Sequence, residues 1–156
     1  MFEMPKYYAP DFSLSQFQNA PDAKIALADM DGVAPEGYHS TSMFPEYFKI
    51  QGQWKLAEES RMDSSVVLRP NGRLDVVENR NLKKGDQVIL GRSEDGHEGI
   101  YLHVNGFADP SEENTDQFAF RAGRSRETAF SRDYDTLYQL LNYEREHGGK
   151  IVWVMG

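Results

Sequence analysis

The chain has 156 residues, 39% hydrophobic and 12% aromatic, which suits one globular domain with a core of its own and argues against disorder. Its 25 acidic residues against 17 basic ones leave a formal charge of −8, which disfavours phosphate-dominated nucleic-acid binding. There is no cysteine, so disulfides, thiol nucleophiles and thiolate metal sites are excluded. No apolar run approaches the ~18 residues of a membrane span, and Met1-Phe-Glu-Met-Pro-Lys lacks the basic start and apolar core of a signal peptide. A cytoplasmic protein with no membrane or nucleic-acid partner is the expectation.

Residues 1–22 hold Pro5, Pro10 and Pro21 and read as an N-terminal arm with one short helical turn, packed through Phe12, Leu14 and Phe17. Residues 23–156 read as a single β-rich domain. Within it, residues 23–29 form a first strand, and residues 30–41, with Gly32, Pro35 and Gly37, are mostly loop. Residues 46–50 and 53–57 flank Gln51-Gly52, a two-residue connection suited to a tight hairpin. Residues 65–69 and 74–77 flank Pro70-Asn71-Gly72, another turn. Residues 86–91 and 99–104 flank a polar loop with Gly96 at its tip, and residues 117–121 alternate as a further short strand. Strands at this spacing predict a small antiparallel β-sandwich or barrel.

One segment reads as helix. From residue 133 to 147, Tyr134, Leu137, Tyr138 and Leu141 recur at helical spacing; Ser131 or Asp133 can cap the start, and Gly148-Gly149 can end it. Residues 150–156 then read as a buried strand. The fold class expected is therefore α+β, mostly β, with one C-terminal helix followed by a strand. The two tryptophans, Trp54 and Trp153, are read as core.

Three stretches could carry chemistry. Asp29-Met-Asp31-Gly32 after an apolar strand resembles the first motif of haloacid-dehalogenase-type phosphatases. Yet Val33 replaces the expected Thr, no later strand supplies a second acidic pair, and hairpins follow where crossover helices are needed. The aspartates read better as turn-formers. The second stretch, Asp31 to Ser42, packs Asp31, Glu36, Tyr38, His39, Ser40 and Thr41 into a loop punctuated by Gly and Pro. Such orienting groups suit a small polar ligand, and His39 with Glu36 could exchange a proton near neutral pH. The alternative is a polar loop whose hydroxyls cap the next element. The third stretch holds Arg121, Arg124 and Arg126 near Gly123 and two hydroxyls, able to grip a carboxylate or phosphate bidentately or simply to pair with the excess acids. His97, Glu98 and His103 do not assemble a metal site, because Gly96 and Gly99 put His97 in or beside a turn.

Taken in order, Asp31-Gly-Val-Ala-Pro-Glu-Gly-Tyr-His-Ser-Thr-Ser, Gly52-Gln-Trp, Met62-Asp63, Val66-Val67, Leu82-Lys-Lys-Gly-Asp-Gln-Val-Ile-Leu-Gly and Gly148-Gly-Lys-Ile-Val-Trp-Val-Met-Gly resemble one family. It is the lysine-oxoglutarate reductase/saccharopine dehydrogenase-like (LOR/SDH-like) family, with the archaeal-type ornithine cyclodeaminases and the C-terminal region of arginine dihydrolase–ornithine cyclodeaminases. The family's first motif looks like Asp-Gly-x-x-Pro-x-Gly-Phe-Tyr-Ser-Thr-Thr, from which this chain departs at Tyr38, His39 and Ser42.

The resemblance implies the β-rich region of enzymes that use NAD to turn ornithine into proline, with residues 151–155 as the opening of a Rossmann-like domain. A dinucleotide site needs a helix after such a strand, and the sequence stops at Gly156, so no cofactor site is expected in this chain; NAD would come with a partner domain or protein. The first functional reading is thus an amino-acid-binding module, with Glu36 or Asp31 on an ammonium, Ser40 and Thr41 orienting the ligand and Arg124 or Arg126 on its carboxylate. A second is a cofactor-free lyase, cyclase or hydrolase with His39 as general base and Glu36 its partner. The third is an oligomerisation module presenting Phe44, Tyr47 and Phe48 at an interface, and a homo-oligomer is the expected state.

Overall fold

The computed structural model describes residue 4, residues 6–107 and residues 137–154. They fall into two units, residues 9–106 in one and residues 4, 6–8, 107 and 137–154 in the other.

The first unit runs α1 (Ser15–Gln18), β1 (Lys24–Leu27), β2 (Glu46–Ile50), β3 (Gln53–Leu56), β4 (Ser65–Leu68), β5 (Leu74–Val77), β6 (Gln87–Leu90) and β7 (Ile100–Leu102). The strands make two antiparallel sheets, ordered β1-β6-β4-β5 and β3-β2-β7. Among the described residues the sheets stay separate, so the sandwich reading holds and the closed barrel is corrected. Gln51 and Gly52 both have positive φ, 52° and 76°, the turn whose twist matches that of its strands. Residues 86–91 do not pair with 99–104 as expected; the turn around Gly96 is instead closed by residues 94–96, with the Gly96 amide on the Ile100 carbonyl, the Leu102 amide on the Glu94 carbonyl and a bridge between Asp95 and Tyr101. Strand β6 lies between β1 and β4, and beyond Val88 its second edge is taken by residues 37–39, while the chain crosses over and β7 pairs with β2.

Side-chain alternation then builds the interior. Phe48, Ile50 and Ile100 from one sheet meet Val66, Leu74, Val76 and Ile89 from the other. Val67 and Val88, on the opposite face of the four-stranded sheet, pack with Ala28 and Leu82 in a second cluster. This is why Val66-Val67 and Val88-Ile89 are apolar pairs rather than alternating ones: both faces of these strands are covered. The other face of β2 carries Tyr47 and Lys49 toward an aromatic group made by Phe12, Phe17, Trp54 and Tyr101. Tyr47 and Phe48 are buried, which removes them from the interface expected of them; Phe44 is 37% exposed. Leu14 stays outside, exposed, while Phe12 and Phe17 anchor the arm.

In the second unit, residues 137–146 are helical, and Gly148 at φ 73° ends the helix with the Gly149 amide on the Glu144 carbonyl. The strand expected next is absent from the described residues 151–154, which have no ladder partner and are exposed, Trp153 at 75%. The sequence signal there is real apolarity, but a strand needs a neighbour to pair with. The strand expected at 117–121, the helix start at Ser131 or Asp133, and Arg121, Arg124 and Arg126 lie outside the described residues.

Candidate functional site

After a turn at Gly37, the loop following β1 becomes extended at residues 38–41, because two elements offer it free backbone groups. On one side lies β6 beyond its pairing with β4: the His39 amide donates to the Ile89 carbonyl at 2.9 Å, and the Gly91 amide donates to the Gly37 carbonyl at 3.0 Å. Tyr38 bridges to Leu90. On the other side the Thr41 amide donates to the Ser64 carbonyl at 3.0 Å, and the Asp63 amide to the Thr41 carbonyl at 3.0 Å. An extended segment alternates its side chains, so His39 and Thr41 turn inward while Ser40 faces out.

His39 is 2% exposed and its Nε2 lies 2.8 Å from Glu46 Oε2, itself on a residue 3% exposed. Glu46 opens β2 on the same face as Phe48, whose ring meets the His39 ring edge-on at 5.4 Å. The second oxygen of Glu46 accepts the Ser42 amide at 2.5 Å. A buried carboxylate is tolerated there because both oxygens are satisfied.

Tyr38, His39 and Ser40 form one side of an open pocket of about 320 Å³, completed by Gly91, Arg92 and Glu94. The 91–94 stretch is shaped by Glu98, whose Oε2 accepts the Arg92 and Ser93 amides at 2.8 Å each. Those two N–H groups hold the Glu98 carboxyl below its usual range. The pocket is thus lined by an arginine, a glutamate, a tyrosine, a serine and a histidine, residue types that suit a small ligand with both charges.

The residues singled out in the sequence separate into two sets. Tyr38, His39 and Ser40 share the pocket. Thr41 does not: its hydroxyl accepts the Ser64 amide at 3.0 Å and bonds the carbonyls of Arg61 and Ser64, which ties down residues 61–64. Asp31 is exposed and accepts the Lys84 amide at 2.9 Å and the Lys83 ammonium at 3.1 Å. These bonds, the amide first, hold its carboxyl below the usual range and make it the turn-former of the alternative reading. Glu36 is exposed, and the carboxylate against His39 is that of Glu46. His97 pairs with Asp95 on an exposed loop, while Glu98 turns to the backbone. Among the described residues no three acidic or histidine side chains gather as a metal site would require.

Glu46, Arg92 and Glu94 were not singled out in the sequence. Glu46 had a signal, a lone carboxylate at the head of an otherwise strand-like run. The other two lie in a loop whose path depends on β7 leaving the first sheet.

Comparison with known proteins gives consistent results. No protein-family model matches the chain. It is 32% identical over 143 residues to the bifunctional arginine dihydrolase/ornithine cyclodeaminase AgrE of Nostoc, a match covering 89% of this chain and 20% of that one. It is 30% identical over 142 residues to the ornithine cyclodeaminase of Methanocaldococcus jannaschii, covering 86% of this chain and 32% of that one. The chain therefore spans between a fifth and a third of the length of these curated relatives. A crystal structure of a LOR/SDH protein from Methanococcus maripaludis superposes with a TM-score of 0.59 at 24% identity, over 82% of this chain and 38% of that one, which shows a shared fold.

Proposed function

We propose, for a chain that is homologous over most of its own length to LOR/SDH-like ornithine cyclodeaminases, that it is an amino-acid-binding module and that the pocket at Tyr38, Ser40, Arg92 and Glu94 takes the ligand. The observation that carries this reading is that Arg92 and Glu94 line the same small pocket. A guanidinium receives a carboxylate bidentately, and a carboxylate receives an ammonium. A zwitterion with a second, side-chain ammonium, as in ornithine, matches this chain's acidic balance better than an acidic amino acid would. Tyr38 and Ser40 add hydroxyls for orientation. In this reading Arg92 takes the part first assigned to Arg124 or Arg126, and Glu94 that assigned to Glu36 or Asp31. Hydride chemistry is not ascribed to this module, and any nucleotide would be bound elsewhere.

The test is calorimetric titration of the purified chain with L-ornithine, with L-arginine and L-proline as comparators, each with and without NAD. Saturable ornithine binding that ignores NAD is expected, and Glu94→Gln and Arg92→Ala should each weaken it at least tenfold. An absence of heat with all three ligands would overturn the reading.

A further inference from the structure

We infer that Glu46 is a positioning residue that fixes His39 as a proton acceptor on the pocket wall, and that the donor is an ammonium group of the amino acid bound there. The second half rests on the binding proposed above; the first half stands on the free protein.

The geometry gives the tautomer. An ionised carboxylate only accepts hydrogen bonds, so with Glu46 Oε1 taking the Ser42 amide and Oε2 facing His39 Nε2, the proton of a neutral imidazole belongs on Nε2. Its lone pair is then on Nδ1. Among the described residues Nδ1 has no hydrogen-bond partner, and no buried side-chain nitrogen or oxygen lacks one. Nδ1 therefore reaches open space, and the open space against His39 is the pocket. The ring cannot easily turn away: its backbone amide is bonded to Ile89, its edge meets Phe48, and Glu46 holds the far nitrogen. Burial that excludes water from all but this edge favours transfer from a ligand over exchange with solvent.

The proton count closes. The ligand's R–NH3⁺ loses one proton to Nδ1, leaving R–NH2 and an imidazolium, whose new charge sits 2.8 Å from the Glu46 carboxylate. No oxidant or further reactant is required. A neutral amine is the nucleophilic form that ring closure or imine formation uses, so the dyad prepares an amino acid for amine chemistry rather than merely holding it. Glu46 does not touch the ligand and acts through His39.

The chain has four histidines, so ¹⁵N-histidine NMR resolves them, and His39→Asn identifies the signals of interest. In the free wild-type protein His39 is expected with hydrogen on Nε2 and a bare Nδ1. In Glu46→Gln the amide oxygen is claimed by the Ser42 N–H, the NH2 faces His39, and the hydrogen should move to Nδ1. Saturating L-ornithine should convert wild-type His39 to the doubly protonated form and leave the Glu46→Gln histidine singly protonated. Hydrogen on Nδ1 in the free wild-type protein overturns the inference whatever the ligand does, and needs no folded variant. Ornithine that binds without protonating His39 overturns the proton transfer alone. Absence of binding overturns the binding reading and the ligand half with it, leaving the tautomer to decide the role of Glu46.

Discussion

Lys49 and Trp54 face each other across β2 and β3, and their side chains converge on one acceptor, the carbonyl oxygen of Phe17, at 3.1 and 3.2 Å. The Lys49 ammonium also reaches the carbonyls of Gln18 and Ala20, at 2.9 and 2.7 Å. Phe17 and Gln18 close the short helix α1, whose last carbonyls the helix itself leaves open, and Ala20 follows just after it. The Lys49 ammonium is satisfied here because its three donors meet three backbone carbonyls, two from the last turn of α1 and one just beyond it. The arm is thereby fastened to the strand whose other face bears Glu46.

Replacing Lys49 by Met keeps the bulk and removes the donors. The buried carbonyls are then under-satisfied, which costs about 1–3 kcal/mol. Urea denaturation of Lys49→Met should show a loss in that range, with amide exchange fastest at residues 11–20. Unchanged stability would mean that the aromatic group alone holds the arm.

Two glycines with nearly equal φ should respond very differently to alanine. At Gly52, φ 76°, an added methyl would meet nothing within 4 Å, so Gly52→Ala should cost only the left-handed conformation, about 1–2 kcal/mol. Gly99, at φ 73°, would place its methyl 2.5 Å from the Ala23 nitrogen and 2.6 Å from the Pro21 carbonyl oxygen. Those are backbone atoms and cannot swing aside. Gly99→Ala should cost at least ~2 kcal/mol more than Gly52→Ala and should separate residues 21–23 from β7, as thermal melts of the two variants would compare directly.

Glu98 gives the pocket an acid limit. The Ser93 and Arg92 amides hold its carboxyl below the ordinary value of 4.5, so it contributes stability above that value. The contribution is lost as the pH falls through the lower, folded one. Ligand affinity should therefore be level from neutral pH down to about 5 and decline below ~4.5 as the 91–94 stretch loosens. Glu98→Gln should show weaker binding at neutral pH and a flatter acid limb. Asp31 and Asp75 are likewise held down, by the Lys84 amide and by Arg69, so the difference between the variant and the wild type is the quantity to measure.

The sequence pattern located the local elements well and their partners poorly, for a physical reason. Alternation and turn chemistry are properties of a few neighbouring residues, so Gln51-Gly52 announces its hairpin and Gly148 its helix end. Whether β6 pairs with β7 or with β4 depends on which edges are already occupied, a fact held by Val67 and Gln87 rather than by the loop between. The same limit applied to the site. His39, Tyr38 and Ser40 stood out as a local cluster, and they do line the pocket. Glu36 stood out with them because it is close to His39 in the chain, whereas the carboxylate that meets His39 is seven residues away on a strand.

Ser40 and Thr41 are adjacent hydroxyls with opposite duties, and substitution should separate them. Thr41 is 6% exposed and its hydroxyl is spent on Ser64 and Arg61. Thr41→Val leaves the buried Ser64 amide without its acceptor, a loss of about 1–3 kcal/mol of stability, while Thr41→Ser should recover most of it. Ornithine affinity measured on folded Thr41→Val should stay within about threefold of wild type, because no ligand contact is removed. Ser40→Ala should do the reverse. Its side chain is exposed on the pocket wall, so the fold should be untouched, while a lost ligand hydrogen bond of about 0.5–1.5 kcal/mol weakens binding roughly two- to tenfold. If Thr41→Val weakened binding while leaving stability intact, the inward turn of residue 41 would be wrong, and with it the alternation that puts His39 against Glu46.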